Sequence, residues 1–218
     1  MKPIKRKYGS KDAYMLDVAA ALHQAFATNI TDFESFDANL NVNFGSLWLA
    51  KINEAYAFMP ASQLKDILKQ KVDEVNVLLK QCREKYHEVN FFVNKAFAKN
   101  DKHRQMFGAT TFHQSKKSVP TMIAFMEELY TTSFAYKNEL MSNGMALAEI
   151  EEMATLKDLL LTKFTETQNF KKVKKELTNQ RVELLNECYA MTRLVMDAAV
   201  IIYKNDYARK KMFVFKAA

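Results

Sequence analysis

With four Gly and three Pro in 218 residues, the chain lacks the turn punctuation that hairpins and short strands require, which excludes most all-β architectures. Hydrophobic residues make up 49%, enough for a substantial core, and two Cys cannot build the disulfide framework of a small secreted fold. A net charge of +7 makes contact with a polyanion physically sensible. The pattern predicts an all-α fold, an elongated bundle of about six helices.

At the start, Lys2, Lys5, Arg6 and Lys7 precede an apolar stretch over 13–27, the order found in secretory signals. Asp12, Asp17 and His23 interrupt that stretch, and its apolar residues follow helical spacing. It reads as an amphipathic helix of a cytoplasmic protein, and no apolar run approaches the length of a membrane span.

The first helix is expected over 11–36, N-capped by Ser10 and weakened near Asn29, with Met15, Val18, Ala19, Leu22 and Phe26 buried. Residues 37–44 read as an Asn-rich loop. Gly45 and Ser46 then open a helix carrying Leu47, Trp48, Ile52, Ala55 and Met59, which Pro60 ends. A third helix over 61–99, near 60 Å long at about 1.5 Å per residue, buries Leu64, Leu68, Val72, Val75, Leu79, Cys82, Tyr86, Val89 and Val93. Asn100 and Asp101 stop it, and 101–118 forms the boundary between two halves.

Ser118-Val119-Pro120 starts the second half, with Pro in the first turn. Met122, Phe125, Met126, Leu129 and Phe134 line this helix, and Asn143-Gly144 ends it. Two further helices are expected over 145–167 and 170–204. The apolar tail Met212-Phe213-Val214-Phe215 folds back over the end of its half, as Met106-Phe107 does in the first.

The halves echo one another. Leu49 to Glu54 resembles Leu147 to Glu152, Leu78 to Cys82 resembles Leu184 to Cys188, Lys99-Asn100-Asp101 resembles Lys204-Asn205-Asp206, and Met106-Phe107 resembles Met212-Phe213. The offset grows from 98 to 105 or 106, which implies about eight extra residues early in the second half. The chain therefore divides into a first helical repeat, 1–110, and a second, 111–218, able to share one core.

Chemistry-bearing motifs are sparse. Glu84 and His87 have the spacing of a carboxylate–histidine metal pair, but helical geometry turns both away from the buried stripe, and Ala190 and Arg193 hold the matching positions. The two Cys sit within apolar periodicity as packed thiols. Glu149, Glu151 and Glu152 spread around a helix as a solvated face. Neither a Gly-rich phosphate loop nor a nucleophile elbow is present. No catalytic, metal or cofactor site is assigned.

The function expected on this reading is non-catalytic: protein–protein interaction, as a scaffold or assembly component. Its partners are other protein chains or a second copy, with Phe91, Phe92, Phe97, Phe213 and Phe215 as contact residues. Phe91 to Phe97 and Val200 to Tyr203 exceed what one narrow stripe buries, and they are expected to meet each other. The alternative is a basic nucleic-acid-associated module using Lys171, Lys172, Lys174 and Lys175. A third class is an enzyme with a site between the repeats, around His87 or a cysteine.

Overall fold

The computed structural model describes residues 3–214, and every regular element among them is a helix. In chain order these are α1 (Asp12–Thr28), α2 (Ile30–Phe36), α3 (Val42–Ala57), α4 (Ala61–Ala96), α5 (Asp101–Met106), α6 (Phe112–Ser115), α7 (Val119–Ala135), α8 (Lys137–Ser142), α9 (Leu147–Ile202) and α10 (Tyr207–Met212). The all-α expectation holds, and no helix among the described residues is long and apolar enough to cross a membrane.

Two compact units form, one assembled from two separate stretches of chain and the other continuous. The first joins residues 1–61 to 174–218, and the second is 62–173. In the first unit, Met15, Leu16, Leu22 and Phe26 of α1 meet Phe33 of α2 and Trp48 and Ile52 of α3. The later part of α9 adds Leu185, Cys188, Val195 and Ala199 to that core. In the second unit, Cys82, Tyr86, Val89 and Val93 of α4 pack with Met122, Met126 and Leu129 of α7, and with Ile150, Met153 and Leu160 of α9. Each fully buried Leu, Ile or Phe contributes about 1.5–3 kcal/mol relative to exposure, so these stripes are the main source of order in both units.

The N-terminal segment is tied to its unit by polar contacts. Asn186 of α9 accepts the Lys7 amide at 2.9 Å and donates to the Lys5 carbonyl at 2.9 Å. Asp12 accepts from Arg6 at 2.6 and 2.9 Å, from Tyr8 at 2.8 Å and from Arg181 at 3.4 Å.

Several boundaries differ from the sequence reading. Lys11, not Ser10, is the N-cap of α1 and makes no side-chain cap. The break at Asn29 is present, since α1 ends at Thr28 and α2 begins at Ile30. α3 starts at Val42, because the Asn41 side chain accepts from the amides of Asn43 and Phe44 and so caps it inside the expected loop. Leu47 and Met59 are exposed rather than core. The expected helix over 119–143 is two, α7 and α8, separated at Tyr136. Phe134 is exposed, with the Lys137 ammonium 4.3 Å from its ring centroid.

The largest difference is α9, one unbroken helix of 56 residues where two were expected. It contains neither Gly nor Pro, so nothing interrupts its hydrogen-bond ladder. At the expected break, Thr167 is buried and donates to the Lys163 carbonyl at 2.8 Å and to Lys71 of α4 at 3.3 Å. Ion pairs Lys163–Glu74 at 3.1 Å and Lys71–Glu166 at 3.5 Å hold α4 alongside this stretch.

Four pairs of helix starts are separated by nearly the same number of residues. α7 opens 107 residues after α1, α8 107 after α2, α9 105 after α3 and α10 106 after α5. The offset of 98 does not fit them: Leu49 is the eighth residue of α3, whereas Leu147 is the first of α9. Asn100 caps α5 and Asp206 caps α10 by accepting the amide three residues on. Phe107 and Phe213 then turn inward, each buried in its own unit.

Candidate functional site: the groove between α1 and α3

In the first unit, α1 and α3 pack side by side and leave an apolar groove enclosing about 230 Å³. One wall is His23, Ala27 and Ile30; the other is Val42, Ser46 and Leu49. Val42, Ser46 and Leu49 step by four and then three residues and so share one face of α3, while the opposite wall takes His23 and Ala27 from α1 and Ile30 from the start of α2. Phe26 and Gly45 complete the lining. The close approach at Gly45 shapes the groove: a Cβ there would sit 3.1 Å from Cε1 of Phe26. His23 Nε2 donates to the Gly45 carbonyl at 3.0 Å, and the imidazole stands edge-on to the buried Trp48. Val42 is 62% and Leu49 40% exposed, so two large aliphatic side chains remain in water at the mouth.

The second unit has no groove of this kind between α7 and α9 among the described residues. Counted from the helix starts, Tyr130 and Phe134 of α7 stand where α1 has His23 and Ala27. Ile150 of α9, fully buried, stands where α3 has Gly45. Phe134 and Ile150 are thus larger than Ala27 and Gly45, Phe134 exposed and Ile150 buried. A separate apolar surface there, involving Ile123, Leu161 and Phe164, is crossed by the Lys157–Glu127 ion pair at 2.6 Å.

Several titratable groups have displaced pKa values, each with a local cause. Hydrogen bonds from Arg6 hold the Asp12 carboxyl below the ordinary aspartate range, and burial raises the Tyr8 phenol beside it. Lys85 is nearly buried; desolvation pulls its pKa down, but Glu152 at 2.5 Å and Glu88 at 2.6 Å reverse that and leave it raised. Burial pushes both Cys82 and Cys188 up to about 11.

The residues singled out from sequence fall as follows. Phe91 is exposed, Phe92 and Phe97 are half-buried against the core of the second unit, and Phe213 is buried between Phe33 and Tyr203. Phe215 lies outside the described residues. Phe92 and Phe97 pack against the core of the second unit, and Ile202 and Tyr203 belong to that of the first. Val200 and Ile201 are exposed.

Lys171, Lys172 and Lys175 are exposed and Lys174 half-exposed, and none of the four forms an ion pair among the described residues. Glu84 pairs with Lys80 at 3.5 Å, and His87 is exposed with its ring against Tyr86 and Phe112. No group of three His, Cys, Asp or Glu suited to a metal ion occurs among the described residues. Of the acidic trio, Glu149 accepts the Ala146 amide at the start of α9 and Glu152 pairs with Lys85.

The groove was not anticipated, because residues 37–44 read as loop and Gly45 as a helix start. Asn41 three residues before Phe44, followed by Val42, Ser46 and Leu49 at helical spacing, is the signal that would have found it. By fold, the chain is an all-α helical bundle. No protein-family model, curated protein or solved structure matches it.

Proposed function

We propose that this protein acts by binding other protein chains, as a scaffold or assembly component, through the groove between α1 and α3. The observation that carries this reading is the pair of apolar walls with Val42 and Leu49 left in water. Contiguous exposed apolar surface beside a formed cavity is characteristic of an interaction site. Two apolar walls suit a third helix laid between them, the helix-in-groove mode of recognition.

The test is affinity capture with the wild-type chain and with Ala27→Phe, which introduces the bulk that α7 carries at Phe134. Ala27 is exposed, so the core is left untouched. Specific partner chains retained by wild type and lost by the variant support the reading; identical capture by both refutes it.

The recurrence of helix starts at offsets of 105 to 107 residues supports a tandem duplication in which each compact unit takes helices from both repeats. The repeat scheme of 1–110 and 111–218 belongs to this reading.

A second reading rests on the four unpaired lysines of α9. Lys171, Lys174 and Lys175 share about 100° of the helix circumference, a surface able to contact phosphates. Reversing all four charges would abolish retention on an immobilised duplex if they bind nucleic acid; unchanged retention refutes that version.

A further inference from the structure

We infer that the occupant of the α1–α3 groove is a basic amphipathic helix of another protein, an inference that rests on the protein-binding reading above. The spacing of the apolar lining fits a helix. His23 and Ala27 of α1 with Ile30 of α2 line one side of the cavity, and Val42, Ser46 and Leu49 of α3, which step by four and three residues along one helical face, line the other. A helix seated there presents apolar anchors at i, i+3 or i+4, and i+7.

The charge part comes from what surrounds those walls. Between Lys11 and Lys51 there is no Lys or Arg, while Asp12, Asp17, Asp32, Glu34 and Asp37 all fall in that interval. Three of these acids are already engaged: Asp12 with Arg6 and Arg181, Asp17 with Tyr56, and Asp32 with Arg209. Glu34 is exposed and has no ion-pair partner among the described residues. It follows the groove residue Ile30 by four positions, so it stands about 40° from it on the same face of α2. Asp37 lies just beyond, accepting only from Asn39 at 2.9 Å. Asp32 and the basic α10 that pairs with it lie about 200° round α2 from Ile30.

A chain of net charge +7 thus carries its apolar groove in a segment without positive charge. At physiological ionic strength the screening length is about 8 Å, so Glu34, one helical turn beyond Ile30, weighs more on an incoming helix than the net charge of the chain, and Lys51 beyond Leu49 is already paired with Glu187. Apolar walls hold the anchors; the unpaired carboxylates select lysine or arginine on the flanks of the bound helix.

The test uses the full chain and two synthetic peptides of about four helical turns. Both carry leucine at i, i+4 and i+7; the flanks are lysine in one and glutamate in the other. Binding is read by fluorescence anisotropy of labelled peptide and by the emission of Trp48, the single tryptophan. The lysine peptide is expected to bind at least about tenfold more tightly than the glutamate peptide, a difference of about 1.4 kcal/mol. Added salt and Glu34→Lys both narrow that gap, and Ala27→Phe removes binding of either peptide. Circular dichroism melts confirm that both variants keep the fold.

Equal binding of the two peptides, with sensitivity to Ala27→Phe, would overturn the basic-helix inference while leaving the groove as a protein-binding site. Absence of binding by both would overturn the inference, and if Ala27→Phe also leaves capture unchanged the protein-binding reading falls with it. A wild-type dimer that Ala27→Phe returns to monomer in light scattering would place a second copy in the groove and overturn the basic-helix assignment.

Discussion

Gly108 and Gly144 allow backbone conformation and packing to be separated within one unit. Both have positive φ, 84° and 103°. Gly108 reverses the chain after α5: its amide donates to Gln105 and its carbonyl accepts from Thr111 and Phe112. Gly144 closes α8 in a Schellman arrangement, with its amide on Met141 and the Met145 amide on Leu140. Replacing either with Ala places a side chain on a left-handed residue, which costs about 1–2 kcal/mol.

The surroundings then separate them. At Gly144 the added Cβ meets Phe92 at 3.8 Å, an ordinary contact. At Gly108 it would lie 2.3 Å from Cε2 of Phe125, a buried ring, and overpacking of that kind adds about 1–3 kcal/mol. Gly144→Ala is therefore expected to destabilise by about 1–2 kcal/mol, and Gly108→Ala by about 2–5 kcal/mol. Guanidinium unfolding followed by circular dichroism measures both, and an unchanged m-value is needed to read the midpoint shift as stability. Equal losses at the two positions, or a smaller loss at Gly108, would refute the reasoning.

Asp12 gathers contacts from Arg6, Tyr8 and Arg181, and Asp12→Asn is expected to cost about 1–2 kcal/mol at pH 7 once the solvent reaching Arg6 is allowed for. Because the folded carboxyl titrates below its ordinary value, this contribution is complete above about pH 4 and is lost as pH falls through the folded pKa. Denaturant melts of variant and wild type should therefore converge in acid; a gap constant to pH 2 would show that the carboxylate charge is not its source. The two thiols, both raised by burial to about 11, should react slowly with an aromatic disulfide at pH 8 in the native chain and rapidly in denaturant. Fast native labelling of either would contradict the packing of Cys82 and Cys188.

Helix content, the buried stripes and several termini were legible in the sequence, because they depend on local chemistry. Scarce Gly and Pro forbid frequent turns, apolar steps of three and four define a helix face, and Ser118 with Pro120 or Asn143 with Gly144 marks an end wherever it occurs. Ser10 and Asn41 show the limit of such local evidence. Both are competent caps, yet only Asn41 receives its amides, a choice made by how the flanking chain is held. The 165–170 region was ambiguous for the same reason: no breaker stands there, so whether α9 turns or continues depends on what lies beside it. Thr167 and Lys163 find partners on α4, and the helix continues.

Only tertiary structure decided which stretches share a core, since residues 1–61 join 174–218 through contacts far apart in sequence. It also decided the groove. Ala27 and Gly45 are unremarkable small residues until α1 and α3 are brought together, when the side chains they lack become the space that Val42, Leu49 and Ile30 surround.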